Sequence, residues 1–575
     1  MSACRQVLVL DADQLSTLAV VRSLGRHGCA VTAAAASPHA IAFQSRYASQ
    51  HLIYPDPLQQ HRAFLEWLTN TLTNHSFDLM IPVTDRSIVP IMTIRNALEA
   101  LSPIAIAPNP VMEQVVSKCR MHSLALEAGL DVPESWIIKA PAALDAIEPR
   151  NGFPLVVKAE RSLAWLDGYG QALETRYVAD RATLKDLGAR YALYGDVLVQ
   201  SRVMGHGVGL GLLARDGLLL NCFQYRRLHE LPLTGGGSAY RVSETLDPVL
   251  EGQATELVRQ LGWHGAMMLE FKYDPRAKMY WFIEANGRFW GGLPLALAAG
   301  VDFPRHLVSL YQNQPVSQSA YSAGVRGRNL ERDIDWTRSA VRHADIPMTR
   351  IVSDALKLVL PREHIDSFAV DDPRPLVSEV QRIGCRLISA ARRRKRLFAS
   401  NARENVLRKN PQQLRSCLQQ ARRLVLVCSG NVMRSAFAEA YLAKLFSSQH
   451  GGPAIISAGL DAQPGRPADR IARNIAQNHK LSLEDHRARA LATLELTEND
   501  VIFVMERTQV AEATRRYPAH ASRIYLLTAL NPSLPIDIVD PNGEGPATCQ
   551  AIFDQIIDAL EPVIDCITHQ RQRLP

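Results

Sequence analysis

The chain has 575 residues, 47% of them hydrophobic and 21% charged, with a formal net charge of +7. That length exceeds what one core can hold and predicts about three or four domains of ordinary soluble globular composition. No run approaches the roughly 20 apolar residues a bilayer demands, the first residues read as a strand with no cleavable leader, and nine cysteines without paired spacing argue against a disulfide scaffold or a CxxC metal site, so a cytoplasmic setting is expected.

Gln6 to Leu10 reads as the first strand. Ser16 to His27 carries apolar positions at helical spacing, and Ala30 to Ala34, after Gly28, reads as a second strand. An amphipathic helix then leads to a strand-like run from Leu79 to Thr84. This βαβ rhythm predicts a parallel sheet. The Gly-x-Gly-x-x-Gly signature of dinucleotide-binding sheets does not follow the first strand, which argues against a dehydrogenase.

Further strands are expected at Phe153 to Lys158 and Val197 to Gln200. Met267–Tyr273 and Tyr280–Asn286 suit a hairpin about Asp274-Pro275-Arg276. A register centred near Ala277 sets Glu270 opposite Glu284, with Asn286 on the same face. Two opposed carboxylates repel, so a cation should sit between them. Three oxygen donors with no His or Cys nearby suit Mg²⁺, which completes its shell with water and nucleotide phosphate. Lys118 and Lys158 are candidate point charges for those phosphates. Arg288, just beyond the metal strand, is placed to clamp a transferring phosphoryl group.

The order Lys118, Lys158, Gln200, Glu270, Glu284-Ala-Asn286-Gly-Arg288 resembles the ATP-grasp superfamily, particularly the carbamoyl-phosphate-synthetase-like carboxylate–amine ligases. The likeness spans residues 1 to about 325 and includes the open-sheet domain that precedes the nucleotide site in these enzymes. It implies that Lys158 and the segment Gln200, Ser201, Arg202, Val203 embrace the adenine of ATP, and that Glu270, Glu284 and Asn286 hold Mg²⁺. Glu is common in the family where Ser201 stands, but adenine recognition there is largely through the backbone. The resemblance also implies small-molecule carboxylate and amine substrates joined through an acyl phosphate. A homodimer is one assembly that ligases of this kind adopt. Substrate contacts are sought beside Arg288, at Arg226, Arg227, Gly236 within the glycine-rich Thr234-Gly235-Gly236-Gly237-Ser238, Arg241, and Phe289-Trp290-Gly291-Gly292. Arginines suit a carboxylate or phosphate, and a glycine run suits a lid that excludes water. Each of these residues equally suits a turn or a surface ion pair.

Between Arg382 and Arg423 stand 13 Lys and Arg against one acid, with Arg392-Arg393-Arg394-Lys395-Arg396 at the centre. The stretch reads as a solvated helical linker or as a weak contact for an anionic membrane or polyanion surface. It interleaves no aromatics as nucleic-acid grooves do.

Residues 424–435, Leu-Val-Leu-Val-Cys-Ser-Gly-Asn-Val-Met-Arg-Ser, read as a buried strand, an anion-cradling loop and a helix start. Phe437, Tyr441 and Leu445 mark the helix face. Backbone N–H groups of Ser429, Gly430, Asn431, Val432 and Met433 converge with the first helical turn, where the dipole favours negative charge and therefore thiolate. Cys428 is the candidate nucleophile, Arg434 a two-pronged donor for phosphate oxygens, and Ser435 a donor to the sulfur. Gly430 and Asn431 tolerate the left-handed backbone of a tight nest. A structural cysteine at a strand end is the plain alternative.

With Ile456-Ser457-Ala458-Gly459, 484–489, 501–505 and Asp540-Pro541, this stretch resembles the low-molecular-weight protein tyrosine phosphatases over 421–575. The resemblance implies that Cys428 attacks phosphorus of a phosphomonoester or phosphoprotein while Asp540 protonates the leaving oxygen. Met433 stands where relatives often carry a second cysteine, Ala436 where a proline commonly follows Arg-Ser, and Asn542 where many place an aromatic. Cys549 and Cys566 raise an arsenate-reductase relay, though packing in the final helix is the expected role. The expected fold is α/β multidomain: an open-sheet pre-ATP-grasp domain (1–108), an ATP-grasp α+β domain (109–325), a basic, mainly helical linker (326–420) and a C-terminal α/β phosphatase domain with a parallel sheet (421–575). The expected function is a bifunctional ligase and phosphatase. The alternative is a ligase regulated by a phosphate-binding, non-catalytic module.

Overall fold

The computed structural model describes residues 6–166, 168–343, 346–359, 363–409, 411–447 and 452–568, with the side chains of 166, 359, 393–409 and 447 left out. Arg393 to Arg396, the centre of the basic run, therefore falls outside the described side chains. The chain forms two units: Met1–Asp180 with Tyr194–Gly384, and Arg181–Leu193 with Cys385–Pro575.

The first unit opens with four parallel strands, β1 (Gln6–Val9), β2 (Ala30–Ala35), β3 (Ala48–Ile53) and β4 (Leu79–Ile81), ordered β3-β2-β1-β4. Val7, Leu8 and Val9 are wholly buried, as a parallel strand covered on both faces requires. The strand order reverses at β1. Just past it, Asp11 adopts a left-handed backbone (φ 60°). Its carboxylate accepts from the Val83 and Thr84 N–H groups (3.1 and 2.8 Å) and from Ser87 Oγ (2.7 Å). This ties β1 to the start of the helix Asp85–Thr93 and so places Asp85.

Next come β5 (Ser135–Ile138), β6 (Leu155–Ala159), the hairpin β7 (Leu163–Leu166) and β8 (Tyr169–Ala172), β9 (Arg176–Val178) and β10 (Val197–Ser201). Strands β5-β10-β6-β9 form an antiparallel sheet. A larger sheet follows from β11 (His206–Arg215), β12 (Leu218–Leu231), β13 (Gly237–Ser243), β14 (Gly265–Asp274), β15 (Met279–Asn286), β16 (Arg326–Arg328) and β17 (Glu363–Ile365), ordered β15-β14-β11-β12-β13-β16-β17. Glycine weakens a strand unless something must lie against it. Here a Cβ on Gly209 would come 2.2 Å from the Tyr225 ring, and one on Gly211 would come 2.0 Å from the Trp290 ring.

Residues 326–384, expected as the first part of a basic linker, instead belong to this unit. Strands β16 and β17 extend its sheet. Arg328 is buried, 2.6 Å from Asp333 and 3.2 Å from Glu363, with its guanidinium 3.6 Å from the centre of the Tyr240 ring. Three-residue strands carry too little alternation to be read.

The second unit holds a parallel sheet of β18 (Arg423–Cys428), β19 (Ala454–Gly459), β20 (Asp500–Val504) and β21 (Ile524–Leu526), ordered β19-β18-β20-β21. Leu424 to Val427 are wholly buried. Phe437, on the helix Arg434–Ser447, packs 4.5 Å between ring centres from Phe553 on the helix Pro546–Thr568. Cys549 lies in this core, and burial pushes its thiol up to about 12, which suits packing. Among the described residues no helix is long and apolar enough to cross a membrane.

Candidate active sites

In the first unit, β14 and β15 pair with Glu270 opposite Glu284 and Met268 opposite Asn286. Beyond Glu270 the register shifts and Phe271 faces Phe282, so Ile283 is the extra residue of a bulge. A bulged residue is left without its cross-strand partner. The Ile283 carbonyl accepts from Lys158 Nζ at 2.9 Å, which brings this ammonium to the acidic face.

The opposed carboxylates have cations around them. Arg227 Nη2 lies 2.7 Å from Glu270 Oε2. Burial raises the Glu270 pKa against the pull of Arg227, while at Glu284 Lys118 and Lys158 outweigh burial and lower it. Lys158 itself is pushed down to about 8 by burial. Asn286 Nδ2 donates to Glu284 Oε1 (3.2 Å), and Asn286 Oδ1 accepts from Arg288 Nη2 (3.0 Å). Arg288 Nε in turn meets Asp85 Oδ2 at 2.9 Å.

A cavity of about 200 Å³ brings together Lys158, Gln200, Ser201, Val203, Arg227, Gly236, Glu270 and Glu284. Lys118 lines a smaller pocket with Asp85, Glu284 and Asn286, and its Nζ donates to Ser162 Oγ at 2.5 Å. Gln200 Nε2 donates to Ser135 Oγ (3.0 Å), and Ser201 donates through its backbone N–H and its Oγ to Glu134 (2.8 Å each). A carboxylate thus reaches the Ser201 position from β5's approach. The Arg202 guanidinium stands 5.7 Å from the Tyr177 ring centre. Gly236 belongs to a latched loop: its carbonyl accepts from Arg227 Nη1 (2.9 Å), and the Thr234 carbonyl accepts from Tyr177 Oη (2.8 Å).

Two of the expected substrate contacts lie elsewhere. Arg226 pairs with Glu244 (2.9 Å), and Arg241 is wholly buried against Asp366 (2.6 Å). Neither lines the 200 Å³ cavity. Tyr177, Glu230, Lys272 and Asp85 were not singled out from sequence. Lys272, two residues beyond Glu270 and so on the same face, was the one with a readable signal.

Glu270, Glu284 and Asn286 offer oxygen alone, two carboxylates and an amide. Among the described residues no group of three or more His, Cys, Asp or Glu encloses a metal. An open, oxygen-only face of this kind fits Mg²⁺ carrying water and nucleotide phosphate rather than a metal held entirely by protein.

In the second unit, Cys428 ends β18 and the helix Arg434–Ser447 begins six residues later. The Cys428 sulfur accepts from the Asn431 N–H (3.2 Å) and lies 3.1 Å from Ser435 Oγ. The left-handed backbone expected at both Gly430 and Asn431 is confined to Asn431 (φ 53°). The reason is local bonding: Asn431 Nδ2 donates to Ser435 Oγ (3.0 Å) and Ser457 Oγ (2.8 Å), and its Oδ1 accepts from the Arg489 N–H (2.9 Å). Val432 accepts from the Asp469 N–H through its carbonyl (2.9 Å), while Met433 is buried in the core. Ser429 Oγ accepts from Gln509 Nε2 (3.2 Å).

Arg434 is 1% exposed. Its Nη1 donates to Glu506 Oε1 (2.6 Å) and the Ile538 carbonyl (2.8 Å), and its Nη2 lies 2.9 Å from Asp540 Oδ2. Its Nε is buried with no partner. An orphaned, charge-bearing donor is costly, and at the end of the loop whose Asn431 N–H meets the thiol it suits a phosphate oxygen. Asp540, 45% exposed, stands at the mouth. Glu506 and Gln509 were missed from sequence because each reaches the loop from more than 70 residues away.

This geometry defines a cysteine-based phosphate site on a parallel α/β sheet. The sequence model of the low molecular weight phosphotyrosine protein phosphatase family matches residues 423–573. The probable low molecular weight protein-tyrosine-phosphatase EpsP of Ralstonia nicotianae is 33% identical over 118 residues, 20% of this chain and 77% of that protein. The low molecular weight protein-tyrosine-phosphatase Wzb of Salmonella typhi is 36% identical over 104 residues, 18% of this chain and 67% of that protein. Through its C-terminal domain the chain belongs to the low-molecular-weight phosphotyrosine protein phosphatase family. Among solved structures, the biotin carboxylase domain dimer of Hydrogenobacter thermophilus 2-oxoglutarate carboxylase is 17% identical with a TM-score of 0.47, covering 57% of this chain and 74% of that chain.

Proposed function

We propose that the protein is a bifunctional cytoplasmic enzyme: an ATP- and Mg²⁺-dependent carboxylate–amine ligase and a cysteine-dependent phosphomonoesterase of the protein tyrosine phosphatase type. The observation that carries the ligase reading is the opposed pair Glu270 and Glu284, with Lys158 brought to it by the bulge at Ile283.

In the ligase, Glu270, Glu284 and Asn286 would hold magnesium, which supplies charge neutralisation for the nucleotide phosphates. Lys118 and Lys158 hold phosphate oxygens, and Gln200 to Val203 line the adenine. The loop latched through Gly236 and Thr234 excludes water. Arg288, braced by Asp85, stabilises the phosphoryl group in transit. A carboxylate oxygen attacks the γ-phosphorus as the bond to the bridging oxygen breaks and ADP leaves with the electron pair. An amine then attacks the acyl phosphate carbon, phosphate departs, and the amine proton is lost to form the amide. Without activation the leaving group would be oxide, which is too basic to depart.

In the phosphatase, the Cys428 sulfur attacks phosphorus and the bond to the leaving oxygen breaks, that oxygen taking a proton from Asp540. Water then attacks the phosphocysteine with Asp540 as base and frees phosphate. Arg434 and the loop N–H groups carry the equatorial oxygens throughout. With Asn542 in place of an aromatic, the rim offers little to hold a tyrosine ring, so alkyl phosphomonoesters fall within range.

Purified protein tests both halves. Hydrolysis of an aryl phosphate that Cys428→Ser abolishes supports the phosphatase, and full hydrolysis by the variant would refute it. ADP release that requires a carboxylate and an amine together, and stops in Glu284→Ala, supports the ligase. Release that is indifferent to both substrates would refute it.

A further inference from the structure

The helix Pro546–Thr568 follows directly on Gly545, which has no side chain to cap its first turn. The missing acceptor comes from Asp186, 361 residues away in the chain. Its Oδ1 accepts from the Ala547 N–H (2.6 Å), and its Oδ2 accepts from the Thr548 N–H (3.2 Å) and from Thr548 Oγ1 (2.6 Å). Asp186 lies on the helix Arg181–Tyr191, which belongs to the second unit although β9 and β10, on either side of it in sequence, belong to the first.

Two further contacts seat this helix. Arg190, 1% exposed, donates from Nη1 to the Glu544 carbonyl at 3.1 Å. A Cβ on Gly545 would come 2.1 Å from the Asp186 carbonyl oxygen, so backbone lies against backbone and only glycine fits. Leu193, just beyond the helix, packs on the core of the second unit.

One turn separates this clamp from Asp540. Asp540 Oδ1 accepts from the Asn542 N–H (3.2 Å), and the Pro541 carbonyl accepts from the Glu544 N–H (3.0 Å). Gly543 supplies the left-handed residue the turn needs (φ 94°). Glu544, where the turn ends, is the residue that Arg190 holds. With 45% of its side chain exposed, Asp540 takes its place from the turn that carries it more than from packing.

We infer that Asp186 and Arg190 are positioning residues for the phosphatase: they fix the turn 541–545 so that Asp540 meets the leaving oxygen. This rests on the phosphatase reading and deepens it, because both residues lie in the stretch expected from sequence as ATP-grasp domain and far outside 421–575. A general acid that drifts by an ångström loses rate, while the loop that binds phosphate is left as it was.

The test compares kcat/KM for two esters on the full-length wild type, Asp186→Ala and Arg190→Leu. Phenyl phosphate needs a proton on its departing oxygen; 4-nitrophenyl phosphate, the ester of a far more acidic alcohol, needs it much less. Each variant should lose about tenfold with phenyl phosphate and less than about threefold with 4-nitrophenyl phosphate. In an Asp540→Asn background either substitution should add less than about twofold, because no acid is left to misplace. Inhibition by inorganic phosphate on the same samples reports that the loop around Cys428 is folded. Should Asp186→Ala lose that inhibition, Arg190→Leu carries the comparison.

The inference is overturned if both esters fall equally, if neither falls, or if the losses multiply with that of Asp540→Asn. A wild type that hydrolyses neither ester would instead remove the phosphatase reading, and this inference with it.

Discussion

Arg434 Nη2 and Asp540 Oδ2 stand 2.9 Å apart, so the guanidinium proposed to bind phosphate also holds the carboxylate proposed to protonate the leaving group. A bound phosphate and Asp540 draw on the same donor. Asp540→Asn should therefore have two opposite effects. Turnover of phenyl phosphate should fall about 10²- to 10⁴-fold, and that of an ester with a more acidic alcohol should fall less, because such an oxygen needs no proton to depart. Inhibition by inorganic phosphate should become tighter, since a competing anion has gone. Steady-state rates and phosphate inhibition constants on the two proteins check both; weaker phosphate inhibition in the variant would contradict the competition.

The ammonium of Lys158 gives the first unit a pH dependence of known sign. Burial holds its pKa down to about 8, below the ordinary lysine value, so its charge is present at neutral pH and lost as pH rises through about 8. Affinity for MgATP should be flat below that point and fall above it. Lys158→Arg should abolish the fall, because a guanidinium stays charged throughout, although its different shape will lower the plateau. Calorimetric titrations at half-unit steps from pH 7 to 9.5 read this directly. An unchanged break in the arginine variant would assign the titration to another group.

Local geometry was legible in the sequence and distant geometry was not. Cys428 and Arg434 sit on one strand–loop–helix, so twelve consecutive residues carried the whole argument. Glu270 and Glu284 face each other across a hairpin whose turn residues were visible. The bulge that exposes the Ile283 carbonyl to Lys158 had no such signal, because an extra residue in a strand leaves the apolar alternation almost unchanged. Glu506 reaches Arg434 from 72 residues away, and Asp85 reaches Arg288 from 203 away. These pairings depend on how sheets and helices are stacked, and no period in the chain encodes that. Arg241 shows the same limit: its partner Asp366 lies 125 residues on, and no local period links the two.

Arg241 and Asp366 are almost wholly buried and 2.6 Å apart. Breaking such a pair leaves one charge stranded, whereas replacing both members with apolar groups of similar size relieves both desolvation penalties. Arg241→Leu alone should destabilise the first unit by about 3–5 kcal/mol, and Arg241→Leu with Asp366→Leu should recover most of that. Chemical denaturation of the two variants measures the difference. MgATP affinity in the double variant should match wild type, because Arg241 does not line the 200 Å³ cavity proposed for the nucleotide; a large loss there would return Arg241 to the binding site.

Gly211 and Trp290 offer the sharpest packing test. Trp290 is wholly buried, and a methyl group on Gly211 would enter its ring at 2.0 Å, with a second ring carbon at 2.3 Å. The indole has nowhere to retreat, since Phe303 meets it edge-on at 5.1 Å between ring centres. Gly211→Ala should therefore cost about 1–3 kcal/mol, the usual range for forcing extra carbon into a filled core. The displacement should also reach the chemistry, because Arg288 is two residues from Trp290 and its Nη1 donates to the carbonyl of Phe289 between them (3.0 Å). Trp290→Phe removes the atoms that clash. Combined with Gly211→Ala it should restore stability beyond the sum of the two single effects, a favourable coupling that a double-mutant cycle isolates. Strict additivity would mean that the alanine is harmful for its backbone alone and that the close approach of ring to strand is not what demands glycine.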